Sequence, residues 1–202
     1  MLSANRVLWG VVVLAGVVAG ALLLVLRSPS QASSTASAPA ATWAAGARPA
    51  PAFTLRDQSG KSVSLAAYRG RPLLVTFIDP LCRNYCPLEA KVLAGTHAAI
   101  VAVSANPYGN ARANLLQDMR KWRLDGGSWR WAVGSQAQLE RVWKAYDVAV
   151  LVTTKTVAGV RVHDVTHTEG AYLIDQNGDE RALFLWPYTA DAVTKALRAT
   201  TS

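Results

Sequence analysis

Residues 72–87 read PLLVTFIDPLCRNYCP. Positions 72–78 form a continuous apolar run, too short for a helix and closed by Asp79-Pro80, so they predict a buried central strand. Both cysteines of the chain follow at once, in Cys82-Arg83-Asn84-Tyr85-Cys86-Pro87. A helix accepts proline within its first turn, where the missing N–H costs nothing, so Pro87 predicts a helix over 87–93 with Cys86 at its start. Unpaired N–H groups and the macrodipole favour an anion there. With Arg83 as a positive neighbour, Cys86 is expected to have a lowered pKa and to reach the thiolate form that attacks disulfides and binds metal. Three intervening residues let the two sulfurs close on each other or share one ion.

Working outward, strands are predicted at 53–56 and 62–65 around a Ser59-Gly60 turn, and a second buried strand at 99–103. Helical spacing covers 110–123. A strand follows at 129–133, then a helix at 136–146 with Leu139, Val142, Trp143 and Tyr146 on one face. Strands at 171–174 and 181–185 flank Gln176-Asn177-Gly178-Asp179, where Asn-Gly is a strong hairpin signal. An amphipathic helix at 189–199 closes the chain. Strands interleaved with helices, then a hairpin and a last helix, indicate an α/β sandwich with a mixed sheet. Cysteines directly after the first buried strand, at the head of a helix, point to the thioredoxin-like version of that architecture.

The 202 residues carry 21 Lys+Arg against 13 Asp+Glu, a net charge of +8. The length suits one domain and an appendage. Two cysteines are too few for a disulfide-stapled mini-fold or a four-thiolate zinc or iron–sulfur site. The basic residues are scattered rather than clustered, which argues against nucleic acid as a partner. Residues 7–26, VLWGVVVLAGVVAGALLLVL, run without a charge. At about 1.5 Å per residue they span about 30 Å, a bilayer core, and they exceed the roughly 7–15 apolar residues of a cleavable signal. Residues 1–27 are therefore expected to be a transmembrane anchor, with a signal peptide cleaved near Ala36 or Ala38 as the alternative. In both cases the rest of the chain lies outside the cytoplasm. The lack of an Arg-rich presequence favours a bacterial cytoplasmic membrane over a mitochondrial one. Residues 28–51, rich in Ala, Ser and Pro, are expected to be a flexible tether in which Trp43 is incidental, leaving 52–202 as the folded domain.

His167 lies in Val165-Thr166-His167-Thr168, just ahead of the predicted strand at 171–174. In a thioredoxin-like fold the loop entering that strand faces the cysteines. Thiol oxidoreductases of this fold normally place a cis-proline there, whereas this chain has no proline between Pro107 and Pro187. Two thiolates and one imidazole form a set suited to Cu(I), and compatible with Cu(II) if a further ligand joins. A structural zinc site would want a fourth protein ligand. A plain disulfide and a dithiol exchanger are the other readings of the pair. His163 is a candidate auxiliary ligand. His97 reads as a surface or capping residue, and Trp129 and Trp131 as core rather than a ligand box.

Together these residues resemble the SCO/SenC family of membrane-anchored copper proteins over residues 50–200. The resemblance rests on the strand at 73–78 leading to Cys82-x-x-x-Cys86-Pro87, the strand at 100–104, Tyr146-Asp147-Val148, and His167 ahead of Tyr172-Leu173-Ile174-Asp175 and Gly178. It implies that Cys82, Cys86 and His167 bind copper. It also implies a role in assembling the binuclear copper centre of cytochrome c oxidase subunit II, or of another copper-accepting protein, as copper donor, thiol reductant or both. Two departures stand out. Thr166 replaces the family's usual Asp before the histidine, and Val103-Ser104-Ala105-Asn106-Pro107 replaces its Val-Asp-Pro signature. The competing function is a membrane-tethered thiol–disulfide oxidoreductase acting on extracytoplasmic cysteines, which would need the cysteines but only modestly the imidazole.

Overall fold

The structure, a computed structural model, describes residues 38–124 and 128–201. The expected membrane span at residues 7–26 lies outside them, and among the described residues no helix is long and apolar enough to cross a membrane.

The predicted central strand forms β4 (Leu73–Ile78), and all six of its residues are buried. It pairs in parallel with β5 (Ala99–Ser104), which pairs in parallel with β6 (Trp129–Val133). On its other edge β4 meets β9 (Gly170–Ile174) antiparallel, and β9 continues into β10 (Glu180–Leu185) as the expected hairpin. The strands β2 (Thr54–Asp57) and β3 (Ser62–Ser64) extend the opposite edge beyond β6. With β1 (Ala41–Thr42) the order is β1-β10-β9-β4-β5-β6-β2-β3, a mixed eight-stranded sheet.

The two-residue period of the central strands splits the core in two. Leu74 and Ile78 of β4, Ile100 and Ala102 of β5, and Trp129 and Trp131 of β6 face one side. They pack there against α1 (Tyr85–Ala94), α2 (Arg112–Trp122) and α4 (Ala190–Thr201). Leu73, Val75, Phe77, Val101 and Val103 face the other side, covered by α3 (Gln136–Ala145) through Leu139, Val142 and Trp143. α3 begins with a reciprocal capping box between Ser135 and Gln138. Trp129 and Trp131 are core residues, as expected.

Two regions depart from the sequence-based expectation. The first is the tether at 28–51, whose later part is bound to the sheet. Ala41 and Thr42 pair with Leu183 and Ala182 of β10, Pro49 bridges Asp179, and Glu180 donates its N–H to the Arg48 carbonyl at 2.8 Å. Trp43 is not incidental: it packs on the core, with the Arg48 guanidinium 4.6 Å above its ring. Composition favours disorder here, but an open edge of β10 and a buried carboxylate, Glu180, supply partners that composition does not reveal.

The second is residues 150–167, for which the sequence predicts no element. They form a separate two-stranded ribbon, β7 (Val150–Val157) and β8 (Val160–His167). Ala158 and Gly159 turn it with positive φ angles of 49° and 80°, the left-handed conformation that a two-residue hairpin requires.

Candidate metal centre

β4 is followed by Asp79, which is buried and turns the chain. Its Oδ1 accepts the Leu81 N–H at 2.7 Å and its carbonyl accepts the Cys82 N–H at 3.1 Å. This places Cys82 against the N-terminus of α1, where the Asn84 side chain makes no cap. Sulfur takes the cap's place, since Cys82 Sγ accepts the backbone N–H of Cys86 at 3.4 Å. Cys86 is fully buried among the residues under α1, whereas Cys82 is half-buried at the rim. Both are free thiols.

This arrangement decides which sulfur carries the charge. Hydrogen bonding from the Cys86 thiol, helped by the N–H groups of Cys86, Asn84 and Tyr85, outweighs burial and holds the Cys82 thiol down at about 5. Cys86 is pushed well above the usual thiol range by donating to Cys82, by burial and by the adjacent negative charge. The thiolate of the reduced pair is therefore Cys82, not Cys86 as the sequence suggests. The helix start does stabilise an anion, but its N–H groups point at the sulfur that precedes the helix. Arg83 takes no part in this, because its Nη1 donates to the carbonyls of Pro80 and Cys82, each at 2.9 Å, and approaches Asp118 at 3.4 Å.

His167 is the last residue of β8, paired with Val150, rather than a loop residue. Its Nδ1 lies 3.0 Å from the Thr168 carbonyl. A carbonyl only accepts, so Nδ1 holds the proton and Nε2 presents its lone pair. Nε2 lies 3.6 Å from Cys86 Sγ. Thr166 is exposed and falls on the opposite face of the strand. The tautomer is thus set by a backbone carbonyl, and the acidic residue missing at position 166 is not needed for it.

One participant carries no mark in the sequence. A carboxylate oxygen of Glu169, the ligand nitrogen of His167 and the Cys86 sulfur all lie within 4.8 Å of one another. Glu169 is half-buried, and its carbonyl accepts the Trp186 N–H at 3.1 Å. The neighbouring Gly170 lets β10 approach closely, since a Cβ there would sit 2.5 Å from the Phe184 carbonyl oxygen.

Beneath the site, Glu89 is fully buried one turn after Cys86 on α1. Its Oε1 accepts from Tyr188 at 2.7 Å and from Thr76 at 3.1 Å, and the Thr76 hydroxyl also reaches the Gly170 carbonyl at 2.9 Å. Burial raises its carboxyl to about 7 against these hydrogen bonds. Spacing could have flagged it, because 86, 89, 90 and 93 form one helical stripe whose other members are core residues.

His163 is on β8 but is engaged elsewhere. Its ring stacks on Tyr108 at 3.7 Å and its Nδ1 lies 3.1 Å from the Thr154 hydroxyl, and it is not among the three clustered ligand atoms. His97 is an exposed turn residue after α1. Chemically, the centre offers a thiolate for attack on sulfur, together with sulfur, imidazole and carboxylate donors for a transition ion.

The fold defines a thioredoxin-like protein. The thioredoxin domain of a thiol-disulfide oxidoreductase from Bacteroides vulgatus matches it with a TM-score of 0.56 at 20% identity, covering 80% of this chain and 99% of that one. ScoI of Bradyrhizobium japonicum with copper bound matches with a TM-score of 0.63 at 21% identity, covering 75% and 98%. Yeast Sco1 with copper bound gives 0.62 at 16% identity, covering 76% and 88%. No curated protein sequence matches the chain. The SCO1/SenC family profile matches residues 43–202, and the chain belongs to that family.

Proposed function

We propose that this protein is a copper metallochaperone. Cys82, Cys86 and His167 hold the ion, and the cargo passes to the copper centre of cytochrome c oxidase, through subunit II or a related copper-accepting protein. In this reading residues 1–27 anchor the chain in a bacterial cytoplasmic membrane with the domain on the extracytoplasmic side. The observation that carries it is the approach of His167 Nε2 to Cys86 Sγ at 3.6 Å, with the opposite ring nitrogen bound to a carbonyl. That hydrogen bond holds the ring in the orientation from which its other nitrogen can bind a metal. The donor set fits copper, since soft thiolates with an imidazole suit Cu(I). Membership of a family whose relatives include copper-bound Sco proteins supports the same reading. Leu81, Tyr85 and Leu88 are exposed around the cysteines, which leaves room for an acceptor to displace the ligands one at a time.

The test is anaerobic Cu(I) titration of the reduced full chain against a competing chelator. One tightly held ion, weakened tenfold or more by His167→Ala and lost on changing both cysteines, supports the reading. Binding that ignores all three residues refutes it.

A second reading rests on the Cys82 thiolate. It would attack a target disulfide, forming a mixed disulfide and releasing one target thiolate. Cys86, once deprotonated, would displace the second thiolate, leaving the Cys82–Cys86 bond oxidised and the target reduced. Reduction of a disulfide substrate at undiminished rate by His167→Ala, together with Cu(I) binding indifferent to His167, would favour it.

A further inference from the structure

We propose that Glu169 is an additional ligand of this centre and tilts it toward Cu(II). This rests on the copper reading above and deepens it. Three donors sharing one first-row ion lie about 3.3 to 4 Å apart, given bond lengths of about 2.0–2.3 Å. The mutual 4.8 Å span of the Cys86, His167 and Glu169 donor atoms therefore needs only small side-chain shifts to close on one ion. Glu169 is held for this role from both sides of its peptide. The Trp186 N–H grips its carbonyl, and Gly170 sits where no side chain would fit.

Charge points the same way. Glu169 stands beside the His167 ring and the Cys86 sulfur, next to the helix start that Cys82 caps. Arg83, the basic residue that follows Cys82, turns away to carbonyl groups and Asp118. Among the described residues Glu169 makes no ion pair within 4 Å. A half-buried carboxylate without an ion-pair partner is a place for a bound cation. Two thiolates and an imidazole satisfy Cu(I), whereas Cu(II) takes more ligands and accepts oxygen. The carboxylate thus adds binding mainly to the oxidised ion.

The test uses the reduced full chain, anaerobic, as wild type, Glu169→Gln and Glu169→Ala. Cu(I) and Cu(II) affinities are measured by chelator competition, and the Cu(II) form is examined by electron paramagnetic resonance. Circular dichroism checks that each variant is folded. The expected result is a Cu(II) affinity about tenfold or more lower in both variants, altered copper hyperfine splitting, and Cu(I) affinity within about threefold of wild type. A tenfold selective loss corresponds to a copper couple about 59 mV more positive. Unchanged Cu(II) affinity and spectrum in both folded variants overturn the proposal while leaving the copper reading intact. Equal weakening of both oxidation states overturns it too, because Glu169 would then act by shaping the loop. Wild type that binds neither ion overturns the copper reading itself.

Discussion

The Cys82 sulfur accepts the backbone N–H of Cys86 at 3.4 Å, and the Cys86 thiol donates to the same sulfur. Cys82 is the half-exposed partner with its thiol held at about 5, and Cys86 is the buried proton donor. Nucleophilicity and metal affinity at neutral pH therefore enter through Cys82, and Cys86 must lose its proton before it can join as a second thiolate.

Alkylation kinetics should show this division. In the reduced protein iodoacetamide is expected to modify Cys82 first, with a rate that levels off above about pH 6 rather than rising through pH 8–9. Cys82→Ser should abolish the fast phase. Arg83→Ala should leave its pH midpoint unchanged, because the guanidinium does not face the sulfur. A midpoint near the ordinary thiol value would contradict the hydrogen-bonded thiolate.

Glu89 ties stability to pH. Its folded value of about 7 lies above the ordinary 4.5, so the native state keeps a proton that the unfolded chain releases. The contribution is complete below pH 4.5 and is lost as pH rises through 7, on the order of 3 kcal/mol in all. Denaturant titrations of wild type and Glu89→Gln across pH 4 to 8 should differ in slope, the variant lacking this decline. Parallel curves would show that Glu89 titrates alike in the folded and the unfolded chain.

Arg48 is the counter-ion of fully buried Glu180, at 2.5 Å. Arg48→Ala strands that carboxylate and should cost about 2–3 kcal/mol near neutral pH, below the roughly 3–5 of fully buried pairs because the arginine is 38% exposed. The loss should shrink in acid, where Glu180 protonates. A chain beginning at residue 48 lacks β1 and Trp43 and should melt at a lower temperature than one beginning at residue 38.

Gly170 leaves no room for a methyl group against the Phe184 carbonyl, 2.5 Å from the ideal Cβ position. Gly170→Ala should cost about 2–3 kcal/mol by forcing β9 and β10 apart. Because the displaced residue adjoins Glu169, it should also weaken Cu(II) binding. A variant as stable as wild type would show that the hairpin adjusts without strain.

What the chain's letters disclosed follows from how locally each feature is encoded. The central strand was legible because six buried positions in a row leave an unmistakable apolar run, and the cysteines and Pro87 mark the helix start within five residues. The β7–β8 ribbon was not, since Leu151, Val157, Val160 and Val162 are exposed and burial alternates only at its root, over 150–152 and 163–167. Its density of β-branched residues about Ala158-Gly159 was the available signal. Glu169 was invisible because a lone carboxylate becomes a donor only when the fold brings Cys86 to it from 83 residues away. Which cysteine ionises depends on where the N–H groups of α1 point, a matter of angles that spacing does not hold.

The ribbon that ends at His167 also has a free end. Only its root reaches the centre, and the Tyr108–His163 stack pins it four residues further out. From His167 to Gly159 is eight residues, about 26 Å of extended chain. Most of the ribbon is therefore interchangeable material, a handle whose tip can lengthen, shorten or carry a label while the donor atoms keep their places.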